Sequence, residues 1–513
     1  MTAVAGYAID GLGFGLQPWA ALAVALVTVS VPWLRPRSND PQFADLAAWL
    51  GIVIFVLTVC LRMSWPSLVP PGRGPDLTHH LLLVDYIQQH GHLVHDRSLD
   101  GAMGEMAHYT PASHLLAVVA GAVFGVDGLR AFFPLTAFCA ALTAGFVFLI
   151  ARRGGLPLPY AIVAVALLLL PAQYFFGAFT HDGFLAQTVS TLFAVGMWWA
   201  IVQWDDQPGA AGAAVIASFL AATFLAWPIW LGAPLLVFLA MLRRTELTPR
   251  TRVQQLAIVI APLLTLFLVH SWNRWGWMVI VRASGAVLHP SLDSLGGVLP
   301  LLALAGIFVA RSDRRARVTI VLLIVIVLQA LALFAIAKAQ GADTPYMAFK
   351  MMYLAIYPMA ILGACALKWG VGSALGEIIG WLLAAALLIV SVRPVLAAPR
   401  SIPVVDLDLN AAGQWLRSNG GAACADYLVA DAETAYWLHL AVLGNARSGE
   451  RMRELDRYDP RAAVAPWIIG EGRSYAVADL RLLPDEVRSR VEVRTQFGSA
   501  AVIARPGTQH CAP

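Results

Sequence analysis

The chain has 513 residues, of which 59% are hydrophobic and 13% are charged, and its formal net charge is +4. Soluble domains carry about 25% charged residues, so this composition excludes an ordinary soluble protein and indicates a membrane protein with many spans. No basic cluster resembles a nucleic-acid-binding surface, which excludes that class of partner as well.

Apolar runs of about 20 residues, the length that crosses a bilayer, recur along the first 396 residues. They indicate about twelve spans, together with a shorter run at 113–126 that fits a re-entrant or interfacial helix. The runs are 17–34, 44–66, 131–151, 158–176, 184–204, 209–227, 229–242, 254–272, 296–310, 318–338, 347–367 and 373–396.

Charge density divides the chain near residue 397. Residues 397–513 carry 27 of the 66 charged residues in 117 positions. One helix-like and three strand-like segments occur there, namely Asn410 to Ser418, Cys424 to Ala430, Tyr475 to Asp479 and Ser499 to Ala504. We therefore predict an all-α polytopic membrane bundle with interfacial helices over 1–396, followed by a small soluble α/β domain over 397–513.

Basic residues predict the orientation in the membrane, because short cytoplasmic loops are enriched in them. They fall in alternate loops, those with Arg35 and Arg37, Arg152 and Arg153, Arg243 to Arg252, Arg311 to Arg317, and Lys368. The opposite loops 67–112, 177–183, 273–295 and 339–346 are predicted to face outward, as is the C-terminal domain. In an oxidising compartment Cys424 and Cys511 could pair. The sequence leaves pairing and free thiols both open.

The outward loop 67–112 contains six of the twelve histidines and several carboxylates. Its segment from Asp76 to Ile87 repeats apolar residues at helical spacing, which predicts an amphipathic helix lying on the membrane. Pro75 marks the start of this helix, so Asp76 lies where a helix favours negative charge. Helix capping alone explains an aspartate at that position, and it does not exclude a chemical role.

The histidines of this loop have two interpretations. Converging imidazoles would bind a metal ion, so a divalent cation is possible as a cofactor. Spacings such as His90-x-His92 fix no known coordination geometry, and solvated interfacial side chains explain them without any ligand. The metal content is therefore left unknown.

These residues resemble the GT-C superfamily of membrane glycosyltransferases, in which a span is followed by an outward loop with an early aspartate and an amphipathic helix. The similar motif runs Asp76-x-x-x-His80, then Ile87, Gly91 and Leu93, then Tyr109-Thr-Pro-Ala-Ser-His114-Leu-Leu. The superfamily has a Tyr-Pro-Pro-like motif before the next apolar helix, and here Thr110 takes the place of its first proline.

The resemblance implies an inverting glycosyltransferase of the bacterial inner membrane. Its donor would be a polyprenyl-phosphate sugar, and its acceptor a glycan, a glycolipid or a protein outside the cytoplasm. On the resemblance, Asp76 is the catalytic base. A carboxylate within hydrogen-bond reach can take the proton of an acceptor hydroxyl as that hydroxyl attacks the anomeric carbon.

The departing phosphate needs positive charge, and three outward residues are candidates to bind it. Arg274 and Arg282 lie in the loop 273–295 among tryptophans, which an interfacial aromatic belt also explains. Lys350 lies just inside the outer end of the run 347–367, where a lysine would also extend to the headgroups. Both explanations stay open at this point.

A second group of residues is predicted to contact the acceptor or to support the base. His181 and Asp182 lie in a very short outward loop, although Asp182-Gly183 is also an ordinary turn sequence. Gln187, one helical turn further on, would line the cavity or bridge two helices. The other candidates are His80, Tyr109 and His114.

The alternative function is a polytopic transporter or lipid flippase of the envelope. A transporter should carry charged residues near the membrane midplane, whereas the ionisable residues here gather at one face. An O-acyltransferase should have one histidine deep in the bundle, and most histidines here are in a loop. A non-catalytic assembly protein would leave the loop carboxylates unexplained.

Overall fold

A computed structural model describes residues 1–30, 43–71, 75–272, 285, 287–369, 374–397, 406–447, 450–455, 457–469 and 473–505. The protein is mostly helical, with one small sheet near the C-terminus. Among the described residues up to 397, the helices are α1 (Thr2–Gly11), α2 (Pro18–Ser30), α3 (Phe43–Ser64), α4 (Pro75–His90), α5 (Asp100–Met103), α6 (Ala112–Phe124), α7 (Gly128–Arg153), α8 (Leu158–Leu169), α9 (Ala172–Phe175), α10 (Gly177–Thr180), α11 (Leu185–Asp206), α12 (Ala210–Ala226), α13 (Gly232–Arg244), α14 (Pro249–Trp272), α15 (Leu299–Ala310), α16 (Arg317–Ala339), α17 (Tyr346–Lys350), α18 (Met352–Trp369) and α19 (Ala374–Ala397).

The helices divide into a buried centre and an apolar periphery. Most side chains of α7, α11 and α18 are buried against other helices, whereas fewer than a third of those in the apolar windows of α3, α14, α16 and α19 are buried. The exposed side chains are large and apolar, for example Leu268, Leu328 and Ile389. Such a surface would be unfavourable in water, but hydrocarbon solvates it readily. The protein is a multi-pass membrane protein.

Seven helical segments of the described residues are long and apolar enough to cross a membrane, by length and composition. They are Phe43–Ser64, Gly128–Arg153, Leu185–Asp206, Pro249–Ser271, Arg314–Ala339, Tyr346–Trp369 and Leu375–Ala397. The shorter apolar helices are α6, α8, α12 and α15. The predicted count of about twelve spans is therefore not confirmed. One reason is visible in the run 158–176, which Leu170 and Pro171 divide into α8 and α9, because proline lacks the amide hydrogen that a helix interior needs.

The basic loops that alternate along the sequence meet at one end of the bundle. Lys368 Nζ donates a hydrogen bond to the carbonyl of Gly155 at 3.2 Å, and a β-carbon at Gly155 would lie 3.3 Å from Arg315 Nη1. Arg153 pairs with Asp206, the last residue of α11, at 2.6 Å. Because α11 has 22 residues, its first residue lies about 33 Å away, at the opposite end of the bundle. Arg35 and Arg37 lie outside the described residues.

The C-terminal domain is a small α/β unit. Its elements within the described residues are α20 (Leu407–Ser418), β1 (Ala425–Leu428), α21 (Ala432–Trp437), α22 (Glu450–Leu455), α23 (Pro460–Ile469), β2 (Tyr475–Asp479), α24 (Asp485–Arg488), β3 (Glu492–Phe497) and β4 (Ala500–Ala504). The strand order is β1-β2-β4-β3, in which β1 and β2 are parallel and the other pairs antiparallel. The central strands β2 and β4 are buried throughout.

Three of these strands and the first helix agree with the sequence prediction, and two details differ. Strand β3 was not predicted. Its sequence is exposed and charged, as is typical of an edge strand with one face in water. Helix α20 begins at Leu407, three residues before the predicted start at Asn410, and its buried face is formed by Leu409, Ala412, Gly413 and Leu416. Cys424 is in a disulfide, and Cys511 lies outside the described residues.

The helix predicted from Asp76 to Ile87 is present as α4, but its surroundings differ from the expectation. It packs against α6 and α7 on one side, and against α21 and the following turn Leu438–Val442 on the other. Leu81, Leu82 and Val84 are consequently all buried. The helix therefore lies between the membrane bundle and the C-terminal domain, because the domain covers the face that was predicted to meet water.

Close packing of α15 on α18 predicts a stability difference between two helical glycines. A β-carbon at Gly306 would overlap the carbonyl oxygen of Leu362, whereas one at Gly51 in α3 would meet nothing within 4 Å. We expect Gly306→Ala to destabilise the protein by about 1–3 kcal/mol through overpacking. Gly51→Ala is the matched control and should leave stability unchanged or slightly raised. Thermal unfolding in detergent measures both, and equal midpoints for the two variants would contradict this packing.

Candidate active site

Asp76 lies in the first turn of α4, at the end of the bundle away from the basic loops. Pro75 occupies the first helical position, where its fixed φ and missing amide hydrogen are compatible with a helix. The carboxylate is partly exposed, and the positive end of the helix dipole stabilises its charge. Tyr346, the first residue of α17, lies close enough to Asp76 to interact with it electrostatically.

The turn before α11 touches the first turn of α4 through the backbone. Gly183 has a φ of +70°, and a β-carbon there would lie 3.1 Å from Leu77 Cβ and 3.2 Å from Leu77 N. Both the positive φ and the close approach favour glycine. This contact brings Asp182, the residue before the glycine, beside the start of α4.

Both carboxylate oxygens of Asp182 have hydrogen-bond partners. The hydroxyl of Tyr353 donates to Oδ2 at 2.9 Å, and His181 Nδ1 lies 2.8 Å from Oδ1. The imidazole of His181 is 88% exposed, whereas Asp182 is 21% exposed. Asp182 is therefore held in place from two sides, while His181 extends towards the surroundings.

Lys350 is buried in a cage of aromatic rings. Its Nζ lies 3.6 Å from the ring centroid of Phe184, 4.4 Å from that of Tyr346 and 4.9 Å from that of Trp227. Aromatic faces attract a cation, most strongly where water is excluded. The lysine is only 3% exposed, so its ammonium group does not extend to the headgroup region as a snorkelling lysine would.

The charges around Lys350 are negative, yet the ammonium group forms no ion pair with the described residues. Asp76 and Asp182 are close enough to act on it electrostatically. The indole N–H of Trp227 is also buried, without a hydrogen-bond partner among the described residues. The Lys350 ammonium and the Trp227 indole N–H are therefore two neighbouring buried donors without a hydrogen-bond partner among the described residues. Such a pair is suited to binding an anion.

A buried histidine pair lies behind Asp76. Nδ1 of His80 is 3.0 Å from Nε2 of His114, and the ring of Tyr109 meets both imidazoles edge-on. Burial lowers the pKa of His80 to about 4, although the nearby charge of Asp76 opposes that shift. Burial, with Asp76 as the second cause, raises the pKa of Tyr109 well above its usual value. These side chains are therefore neutral near pH 7.

The structure places eight of the ten predicted site residues within the described chain. Asp76, Asp182 and Lys350 come together, with His80, Tyr109 and His114 behind them and His181 beside them. Gln187 is buried one turn after Phe184, and its Oε1 has no hydrogen-bond partner among the described residues. Arg274 and Arg282 lie outside the described residues. Among the described residues, no group of three or more histidine, cysteine, aspartate or glutamate side chains could hold a metal ion.

Several site residues were not predicted from the sequence. Tyr346 precedes Lys350 by four residues, so helical spacing puts both on one face and could have identified it. Phe184 and Trp227 lie in different segments of the chain from Lys350, and only the fold brings them to it. No spacing in the sequence indicates that cage.

Two solved structures resemble the whole chain. The crystal structure of ArnT from Cupriavidus metallidurans bound to undecaprenyl phosphate matches with a TM-score of 0.54 and 14% identity, over 91% of this chain and 99% of that one. Arabinofuranosyltransferase AftD from Mycobacteria matches with a TM-score of 0.54 and 14% identity, over 93% of this chain and 42% of that one.

The chain has a GT-C fold. The resemblance inferred from the sequence motif is thereby confirmed at the level of the fold. No family model matches the sequence, and no curated protein matches it. The roles of individual residues are therefore inferred from the contacts in this protein and not from the two similar structures.

The buried His80 predicts a loss of stability in acid. Its ordinary pKa is 6.5 and burial lowers it to about 4 in the folded protein. Between these values the unfolded chain binds a proton that the folded chain does not, so the free energy of unfolding falls as the pH decreases from 6.5 to 4. The full effect is on the order of 3 kcal/mol.

We expect His80→Asn to have a shallower decline of thermal stability over that range than the parent protein. His90→Asn is the control, because His90 is exposed at the other end of the same helix. Thermal unfolding in detergent at several pH values measures the slopes. Identical slopes for the parent and His80→Asn would contradict a neutral, buried His80.

Proposed function

We propose that this protein is an inverting glycosyltransferase that moves a sugar from a polyprenyl-phosphate donor to a glycan, glycolipid or protein acceptor. The observation that carries the proposal is the meeting of Asp76 with the caged Lys350 at one end of a GT-C fold. A base and a buried cation in one site match the two needs of this reaction, proton removal and stabilisation of phosphate. The binding of undecaprenyl phosphate by ArnT supports this class of lipid donor.

In the proposed reaction, Asp76 accepts the proton of an acceptor hydroxyl while the oxygen attacks the anomeric carbon of the sugar. The new glycosidic C–O bond forms as the bond from that carbon to the phosphate oxygen breaks. The electron pair of the broken bond leaves with the polyprenyl phosphate. A single displacement of this kind inverts the configuration, and the nearby hydroxyl of Tyr346 would orient the Asp76 carboxylate.

Lys350 would bind the phosphate of the donor. Its aromatic cage keeps water away, so its charge acts at nearly full strength on an anion that enters. The indole N–H of Trp227, which has no hydrogen-bond partner among the described residues, would donate a further hydrogen bond to that phosphate. Asp182, fixed by Tyr353, would help to hold the lysine. Arg274 and Arg282 stay predicted contacts of the phosphate.

We infer that the site and the C-terminal domain face the extracytoplasmic side of a bacterial inner membrane. The basic loops gather at the opposite end of the bundle, which the positive-inside rule assigns to the cytoplasm. The disulfide at Cys424 is typical of an oxidising compartment. The acceptor would reach Asp76 from the outer side, where His181, His80, Tyr109, His114 and Gln187 stay predicted contacts or supports.

The first test is Asp76→Asn in the full-length protein reconstituted into liposomes. The donors are radiolabelled undecaprenyl-phosphate hexoses and pentoses, with a membrane extract as the source of acceptor. We expect the initial rate of sugar transfer to fall by about 100-fold or more, because the amide cannot accept the proton. Asp96→Asn is the control, since Asp96 is exposed and caps only a local turn.

Transfer that continues unchanged in Asp76→Asn would remove this carboxylate from the mechanism. Lipid scrambling or solute uptake by the parent protein without sugar transfer would support the transporter instead. The divalent cation stays a prediction, and a chelator added to the same assay tests it.

The second test is the binding of undecaprenyl phosphate to Lys350→Met, which keeps most of the side-chain stem and removes the charge. We expect the affinity to fall by about 10-fold or more, the cost of losing a hydrogen bond to a charged group. Lys338→Met is the matched control, because Lys338 lies at the end of α16 and donates hydrogen bonds to the carbonyls of Ala342 and Asp343. Equal affinity of both variants would exclude Lys350 from the phosphate site.

A further inference from the structure

The C-terminal domain reaches the first turn of α4 through a four-residue polar chain. Arg447 of the domain pairs through Nη1 with Oε2 of Glu105. The other oxygen of Glu105 lies 2.8 Å from Nδ1 of His79, and Nε2 of His79 lies 2.6 Å from the hydroxyl of Tyr436. This series of polar contacts thus begins and ends in the C-terminal domain and passes through two residues of the membrane body, Glu105 and His79.

The protonation of His79 follows from its partners. Burial, followed by the charge of Arg447, lowers the pKa of His79 to about 3, so the imidazole is neutral near pH 7. The Glu105 carboxylate can only accept a hydrogen bond, so Nδ1 of His79 carries the proton. Nε2 then accepts the hydrogen bond that the hydroxyl of Tyr436 donates. His79 is three residues after Asp76 and is therefore held on a neighbouring part of the same helix face.

The environment of Arg447 is shaped to hold its guanidinium against Glu105, close to the first turn of α4. The Arg447 amide donates a hydrogen bond to the carbonyl of Gly101 at 3.2 Å. A β-carbon at Gly104 would lie 2.5 Å from Nη1 and 2.9 Å from Cδ of Arg447, so glycine leaves room for the guanidinium. Burial lowers the pKa of Arg447, and the charge of Asp76 opposes that shift. The arginine is 23% exposed, so water screens its charge only in part.

A second ion pair joins the domain to the same helix at a distance from the site. Arg417 donates hydrogen bonds to Asp85 and Gln89, both at 2.9 Å. Asp85 is nine residues after Asp76, which places it about 13 Å further along α4. Arg417 therefore contributes to docking of the domain as Arg447 does, but not to the charge around Asp76.

We propose that Arg447 is a positioning residue of the active site, through which the C-terminal domain completes the charge environment of Asp76. This inference rests on the proposed function. It assigns the domain a direct part in catalysis, because an undocked domain would withdraw a positive charge from the base. Further groups act on Asp76 from the elements packed around it, and they are His79, His80, Tyr109, Tyr346 and Lys350.

The test uses two variants that break the same ion pair and change the charge near Asp76 in opposite directions. Arg447→Gln removes a positive charge, and Glu105→Gln removes a negative one. The first measurement needs no substrate: a water-soluble carbodiimide and an amine label protonated carboxyls of the full-length protein in nanodiscs across a pH series. Mass spectrometry of the Asp76 peptide then gives the midpoint of labelling.

We expect the labelling midpoint of Asp76 to rise by about 1 pH unit in Arg447→Gln. It should stay in place or fall in Glu105→Gln, and should be unchanged in Arg417→Gln. A purely structural role of the bridge predicts the same change in both bridge variants. Equal shifts in the two variants, or no shift in Arg447→Gln, would overturn the proposal.

Sugar transfer in liposomes is the second measurement. Arg447→Gln should lower the transfer rate more than Glu105→Gln, and the acid limb of its pH–rate profile should move to higher pH. If the parent protein transfers no sugar, the proposed function fails, but the labelling midpoints still decide the role of Arg447. If Arg447→Gln does not fold, Arg447→Lys replaces it. That variant keeps the charge, so its midpoint should match the parent, and a rise of about 1 pH unit would overturn the proposal.

Discussion

The burial of α4 between the membrane bundle and the C-terminal domain is the constraint on which the site depends. Its first turn carries Asp76, the next positions carry His79 and His80, and its far end carries Asp85. Each of these side chains meets a different partner because the helix is covered on both sides. A helix open to water on one face would leave the two histidines solvated, and neither the neutral imidazole pair nor the bridge to the domain would form.

The charges of the site are grouped so that each has a counterpart. Asp76 and Asp182 share the neighbourhood of Lys350, and Glu105 is matched by Arg447. The ammonium of Lys350 is nevertheless left in contact with aromatic rings rather than with a carboxylate oxygen. A desolvated cation without an ion-pair partner in the described residues is unfavourable in isolation, and the binding of an anionic substrate would relieve that cost.

The sequence was sufficient for the features that local pattern determines and insufficient for those that depend on distant contacts. Apolar runs predicted a polytopic bundle, the proline before Asp76 predicted the start of α4, and the basic residues predicted the grouping of their loops. Edge strand β3 was not predicted, because its charged residues hide the alternation of apolar and polar residues that indicates a strand. The cage of Phe184 and Trp227 could not be predicted, nor could the bridge from Arg447 through Glu105 to His79, because these residues are far apart along the chain.

The contact between Gly183 and Leu77 has a consequence for how the site responds to its substrates. It is a close approach at the main chain, so the spacing of the α-carbons of the two aspartates is set by the backbone. Main-chain geometry changes little when a ligand enters, and a rigid arrangement needs little reorganisation as charge moves during the reaction. Neighbouring side chains can therefore diverge while the two backbone segments that carry the acidic pair keep their separation.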